Sequence, residues 1–587
     1  MFAGRPILLL IAGVVAFLAM APESYSQANS VAIVDEVDIT GNRSFPKNDL
    51  MRVIESRESS WFKWLPGIDP EPVVRSRVRT DLLRLSSFYK DEGFLDVSVD
   101  TLIERQGSGY RVAFLISEGD PVVVDSVRIL GADQLAGLER LELRTNPGGR
   151  LTRANLEDDR LLILGTLRDS GFAFAAVELK TALHPSGKEA LVDVKVQPGN
   201  RYRFGDVLVR GNENVGTPTI KRGVTFRPGS DFEQRHVRSA RRQLYRSGAF
   251  RSVTLDFPDS LATDSTVSTV VTVSERSLRS VKMGAGYDTQ SQVNGTVSWA
   301  HRSAFGGAQQ FRVGVQASAI LSEVRASLTQ PYVFGSRNWT NFGVFARSSE
   351  KGDFRQTVFG GNISFERNIA TRTTLLFETS GGVVDKADSL FAEFVTQFVD
   401  DHRDDFLDPT EGVFVRLEAR QRGALLRSDL ELLQMTAEGR WYSKMPAQSV
   451  LAIRAFGGAI VNLRAGGDIP NFDRFFAGGL SSIRGWPQDE LGPKDRLGNP
   501  VGGKSKFEAS IEIRTQFGKY IGTAFFLDAG NVHPEFSAFD VGQFRWAVGG
   551  GVRFLSPVGP VRLDAGRRLN DDNTALWQYH FSIGQAF

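Results

Sequence analysis

The stretch WQYHFSIGQAF (577–587) alternates strictly. Trp577, Tyr579, Phe581, Ile583 and Phe587 fall on one face; Gln578, His580, Ser582 and Gly584 fall on the other. A β-strand turns successive side chains to opposite sides, so this strand has one apolar and one polar face. FRWAVGGGVRF (544–554) sets Phe544, Trp546, Val548, Val552 and Phe554 against Arg545 and Arg553. FEASIEIRTQF (507–517) sets Phe507, Ile511, Ile513 and Phe517 against Glu508, Glu512, Arg514 and Gln516. Soluble sandwiches also alternate, but their strands run nearer to about five residues. They do not repeatedly fill one face with Arg and Glu. About sixteen such segments follow one another from residue 280, which predicts a mainly β protein with a transmembrane antiparallel β-barrel over 279–587, wet inside and apolar outside.

Ahead of the barrel, residues 31–276 hold a weak repeat with a period of about 80. Each copy opens with an extended run, as in VDEVDITGN (34–42), VVVDSVRILG (122–131) and YRFGDVLVRGN (202–212). Each continues through a helical stretch to a Gly-Phe or Gly-Ala-Phe step and closes with two strands. Three α+β units are expected, over 31–119, 120–199 and 200–276. Gly93, Gly171 and Gly248 follow helices, where the chain favours a left-handed residue, and Phe94, Phe172 and Phe250 return to the core. An arginine-rich helix, RHVRSARRQLYR (235–246), reads mainly as a solvated face, with contact to anionic membrane heads or acidic partners as the alternative.

Residues 1–26 read as a secretory signal, with Arg5 before an apolar run from Pro6 to Met20 and Ser24-Tyr25-Ser26 for cleavage. No later uncharged apolar run approaches about 18 residues, so no transmembrane helix is expected. The net charge of +2 gives no general attraction to nucleic acid. With no cysteine and six histidines, little is left for nucleophilic or metal chemistry, and no catalytic or metal-binding residues are assigned. No phosphate-cradling glycine loop is present, so no cofactor is expected, and the acidic run DDHRDD (400–405) is read as a turn before Pro409 and Gly412.

RFFAGGLSSIRGW (474–486) lies in a long outer-side connection, 464–504, between two strands. Its large apolar residues suit burial, and a guanidinium in a partly dry lumen needs carboxylate partners. Arg484 is therefore expected to pair with Glu512 and Asp528, holding the loop inside the barrel. A surface loop with a solvated arginine is the alternative, and composition alone does not choose between them.

These segments resemble the BamA/TamA family of outer-membrane assembly proteins. FFAGGLSSIRGW resembles the family's Arg-Gly-aromatic motif of the sixth extracellular loop, with Arg484, Gly485 and Trp486 in those places. GTAFFLDAGNV (522–532), GGGVRFLSPVGPVRLDAG (549–566) and DHRDDFLDPTEG (401–412) resemble its other signatures. Trp486 stands where phenylalanine is frequent, and Ile483 where valine is common. The resemblance implies periplasmic POTRA domains, a sixteen-stranded barrel in the outer membrane and a loop locked by Arg484. Three repeats most resemble TamA-like members.

A non-enzymatic assembly and insertion factor is expected. The lateral seam joins the first strand to the last, and Gly284, Gly286, Gly584 and Phe587 lie along it. Glycine weakens strands, so the seam can part and offer its edge to an unfolded outer-membrane client. The POTRA sheets would offer similar edges. Expected partners are such clients, the lipid bilayer with its lipopolysaccharide, and either a periplasm-spanning protein or a set of assembly lipoproteins. A two-partner-secretion pore that exports polypeptide is the alternative, and a passive porin is disfavoured by a filled lumen.

Overall fold

The computed structural model describes residues 33–583 apart from 59–71, 108, 132–140, 352–353, 386–388, 424–430, 447, 465–467, 518–520, 537–539, 557–558 and 571–576. The expected signal segment, Gly584 and Phe587 lie outside the described residues.

The first α+β unit runs β1 (Val34–Thr40), α1 (Lys47–Val53), α2 (Arg75–Asp91), β2 (Ser98–Gln106) and β3 (Gly109–Ser117). β3 is the middle strand, with β1 parallel and β2 antiparallel to it. Val37, Leu50, Leu85, Tyr89, Phe94 and Phe114 form the core between sheet and helices. Two buried carboxylates tie the connections down. Asp81 accepts the N–H groups of Glu55 and Ser56, both at 2.8 Å. Glu118 accepts those of Arg43 at 2.7 Å and Ser44 at 3.0 Å, and the Tyr89 hydroxyl at 2.9 Å. Burial opposes ionisation of both acids, but these donors outweigh it and hold both below the ordinary carboxylate range.

The second unit repeats the order with β4 (Val123–Leu130), α3 (Arg153–Asp169), β5 (Ala176–Leu183) and β6 (Glu189–Gln197). The Thr152 side chain caps α3 by accepting the Asn155 N–H at 3.2 Å. Gly93 and Gly171 close their helices at φ 92° and 101°, a region that disfavours a side chain. Phe94 and Phe172, which follow them, are buried.

The third unit comprises β7 (Arg203–Arg210), α4 (Thr217–Gly223), α5 (Gln234–Arg246), β8 (Phe250–Asp256) and β9 (Thr266–Glu275). Read as sequence it is one more bead on a string; in the structure most of it forms one compact body with the barrel. The Gly216 N–H donates to the Gly306 carbonyl at 2.8 Å. The Tyr332 hydroxyl donates to the Gln243 carbonyl at 3.1 Å. A Cβ at Gly223 would stand 2.9 Å from the Tyr332 ring, so only glycine lets α4 approach this rim. The arginine-rich helix α5 leaves most of its arginines exposed, but its last, Arg246, bonds Glu366 and Asn368 of the barrel and lies over the Trp339 ring at 5.6 Å.

The barrel follows. Its first quarter is β10 (Arg279–Asp288), β11 (Gln292–His301), β12 (Gln310–Ala317) and β13 (Leu321–Pro331). Next come β14 (Asn338–Lys351), β15 (Phe354–Asn368), β16 (Thr373–Val384) and β17 (Ser389–Asp401). Then follow β18 (Gly412–Arg422), β19 (Leu432–Met445), β20 (Ser449–Asn462) and β21 (Ser505–Phe517). β22 (Ile521–His533), β23 (Arg545–Ser556), β24 (Gly559–Arg568) and β25 (Trp577–Ile583) complete it. Each strand pairs antiparallel with its neighbour, and β25 meets β10, closing the cylinder. The alternation sets the faces: Phe525, Val552 and Tyr579 are exposed on the outside, while Asp528, Asp564 and His580 are buried within.

Candidate functional site: the lumenal loop and the seam

The connection from β20 to β21 is packed. Ile469, Phe475, Ala477, Ile483, Trp486 and Leu491 form one apolar cluster with Leu432 and Ile460 of the wall and with Val532 and Ala547. Phe475 and Gly503 exchange both backbone hydrogen bonds at 2.9 Å, so the loop's two arms pair with each other. Gly478 at φ 104° turns the chain where a Cβ would sit 2.3 Å from the Pro487 carbonyl. Burying this much apolar surface keeps the loop off the aqueous side.

Arg484 sits at the floor of this loop and is 5% exposed. Its Nε donates to Asp528 Oδ2 at 2.8 Å, and its Nη2 donates to Asp528 Oδ1 at 2.8 Å and to Ser510 Oγ at 3.2 Å. Its Nη1 donates to Glu512 Oε2 at 2.5 Å. The guanidinium carbon lies 3.4 Å above the centre of the Phe526 ring. Asp528, wholly buried, receives two parallel N–H groups, the fork geometry that arginine alone provides. The periodicity of β21 and β22 places these partners, because Ser510 and Glu512 on one strand and Phe526 and Asp528 on the next share the inner face.

The backbone beside Arg484 is also held. Arg568 Nε on β24 donates to the Gly485 carbonyl at 2.8 Å, and its guanidinium covers the Trp486 ring at 5.1 Å. His580 Nε2 on β25 lies 2.9 Å from the Arg484 carbonyl. Gly485 has no room for a Cβ, which would come 2.7 Å from Ala547 Cβ. Across the lumen the loop meets other cations. Lys351 Nζ on β14 donates to the Phe472 carbonyl at 3.1 Å and to that of Arg474, and lies 5.4 Å from the Phe476 ring. Arg422 on β18 bonds Asp473, and also Glu393 at 3.3 Å. Glu508, on the inner face with Glu512, takes Lys506, Arg454 and the Ser482 hydroxyl rather than Arg484.

At the seam β25 meets β10 in the register Tyr287↔Ile583 and Asp288↔Ser582, Ile583 being the last described residue, and the Thr289 N–H donates to the Phe581 carbonyl at 2.9 Å. On its other side β25 pairs with β24 from Val561↔Ile583 to Arg567↔Trp577. Gly286 lies against the last strand, where a Cβ would be 2.8 Å from the Ile583 carbonyl. Gly284 pairs with Thr296 of β11.

In the acidic run, Asp404 accepts the backbone N–H groups of Thr410 and Glu411 at 2.9 and 3.1 Å, and the Thr410 hydroxyl. That hydroxyl and the two amides hold its carboxyl well below the usual carboxylate range. This aspartate organises a turn.

Five residues about the loop carry no signal in the linear pattern: Ser510, Lys351, Arg422, Arg568 and His580. The alternation puts each on the inner face but says nothing of what stands opposite, which depends on the loop's path across the lumen.

A family description, the Omp85 superfamily domain, matches residues 304–587, and a second, the POTRA surface antigen variable number repeat, matches 32–119. The outer membrane protein assembly factor BamA of Nitratidesulfovibrio vulgaris is 23% identical over 94% of this chain and 73% of that protein. The BamA of Neisseria meningitidis serogroup B is 20% identical over 95% of this chain and 78% of its own length. The crystal structure of BamA from Haemophilus ducreyi lacking POTRA domains 1–3 shares the fold. Its TM-score is 0.59 at 17% identity, over 80% of this chain and 99% of that one. With POTRA-like units before a closed sixteen-stranded barrel, these matches fit the BamA/TamA family of outer-membrane assembly proteins.

Proposed function

We propose that this protein assembles and inserts β-barrel clients in the outer membrane, acting without enzymatic chemistry by lending strand edges. Relatives that cover nearly all of the chain are named outer membrane protein assembly factors. The observation that carries the mechanism is that the barrel closes by joining its first strand to its last, and that the first strand has glycine at 284 and 286 along this junction. A closed barrel leaves no free edge, and an edge is what an unfolded strand needs as a template. Main-chain pairing is indifferent to client sequence, so one seam serves many clients. The POTRA sheets supply further edges, and Gly284 and Gly286 weaken the first strand. Arg484, Gly485, Trp486, Glu512 and Asp528 lock the loop that braces the wall. The remaining partners are the bilayer with its lipopolysaccharide and either a periplasm-spanning protein or assembly lipoproteins.

The chain has no cysteine, so a single engineered disulfide tests this cleanly. Tyr287→Cys with Ile583→Cys joins facing residues of the seam. The oxidised protein in liposomes is expected to lose its acceleration of client barrel folding, and reduction is expected to restore it. Undiminished acceleration by the oxidised protein would refute seam opening.

A further inference from the structure

The two strands of the seam are held very differently from inside. The last strand, β25, is tied to the lumenal loop: His580, 4% exposed, places Nε2 2.9 Å from the Arg484 carbonyl. A carbonyl accepts, so the ring nitrogen donates. The same carbonyl is pressed against β24, where a Cβ on Gly566 would lie 2.5 Å from it, and Arg568 of β24 holds the next carbonyl. Arg484 is itself fixed to β21 and β22 by its side chain. The Arg-Gly step therefore joins four strands, and the chain of bonds ends on the last strand.

Among the described residues the first strand has no such tie. Its inner-face residues include Gly284 and Gly286, which have no side chain to reach the loop. Asp288 turns to its own hairpin, accepting the Gln290 N–H at 2.9 Å and bonding Ser291 and Asn294. Arg302 of the following turn bonds Ser280. All of these bonds stay within β10, β11 and their turns.

We infer that His580 is a positioning residue of the seam, pinning the last strand to the loop so that the barrel opens by departure of the first strand. This rests on the reading that the seam opens. The moving, client-facing edge is then β10, while β25 remains part of a wall braced by Arg484. An imidazole suits the task because it donates one N–H from a rigid ring without bringing a permanent charge beside Arg484.

The absence of cysteine permits paired spin labels in the full-length protein in liposomes. Cysteines at Met283, Tyr579 and Met435, all exposed on the outer wall, report the first strand, the last strand and a distant reference. The expected result is a broad Met283–Met435 distance distribution and a narrow Tyr579–Met435 one. His580→Ala should broaden the second to match the first, while His580→Gln, which keeps a donor, should restore a narrow distribution. Both alanine and glutamine variants must retain the compact, heat-modifiable form. A last strand as narrow in His580→Ala as in the parent, with the first strand still broad, overturns the role of His580 alone. Narrow distributions at both strands overturn seam opening and this inference together, and a broad last strand in the parent overturns the assignment of the moving edge.

Discussion

Arg484→Ala is the most informative single change to the barrel. In the parent, Asp528 has no solvent exposure and takes two guanidinium N–H groups, the Arg484 backbone N–H at 3.1 Å and the Ser510 hydroxyl at 2.7 Å. Alanine removes both guanidinium bonds and the cation over Phe526, and leaves the carboxylate buried without a countercharge. Breaking one partner of a buried pair costs about 3–5 kcal/mol, because the desolvated charge that remains is uncompensated. Glu512 is less affected, since Arg514 Nε still donates to it at 2.7 Å. Arg464 is exposed in the same loop, and Arg464→Ala should cost no more than about 0.5 kcal/mol. Urea titration of the heat-modifiable band in liposomes compares the two. Adding Asp528→Asn to Arg484→Ala completes a double-mutant cycle, and a coupling of about 1–3 kcal/mol is expected for groups in direct contact. Additive single effects, or an Arg484→Ala midpoint equal to that of Arg464→Ala, would refute the tether.

Three further outcomes follow from other contacts. Lys351→Ala combined with Arg422→Ala removes the far-wall grip on residues 472–474 and should raise single-channel conductance in planar bilayers while heat-modifiability persists. In the first unit, Asp81 and Glu118 ionise more readily folded than unfolded, so their stabilisation is full above the ordinary carboxylate range and drains away as pH falls through and below it. Amide protection factors of α1 and α2 in the intact protein, corrected for the intrinsic exchange rate at each pH, should therefore fall at acid pH, and Glu118→Gln should already show part of that loss at neutral pH. Tyr332→Ala strips a ring and a hydrogen bond from the third unit's seat on the rim, and should speed amide exchange in α4 and α5 without altering the barrel's urea midpoint.

The barrel was legible because its rule is local: at every strand the alternation names the face, and β21 and β22 place Glu512 and Asp528 on one inner face, two residues apart in register, through nothing more than period and pairing. The three repeats were legible for a similar reason, since each glycine after a helix marks a backbone need. The seat of the third unit was not. Its carrier, Tyr332, stands in a turn at φ 61°, and its partner is the backbone carbonyl of Gln243, a group that every residue presents equally. Lys351 has no sequence signal either, because it binds the carbonyls of Phe472 and Arg474, and carbonyls leave no mark in a sequence. The alternation marks His580 only as an inward-facing polar residue, for the same cause.

An open edge and a stable cylinder make opposite demands, and the loop reconciles them. A barrel that opened with nothing across its lumen would lose the closure that fixes its shape. Here the loop grips β21 and β22 through a guanidinium, β24 and β25 through two carbonyls, and β14 and β18 on the far side through Lys351 and Arg422. Among the described residues these bonds gather on the wall from β14 to β25, so on the proposed function the junction with β10 is the place where an opening leaves the braced strands in position.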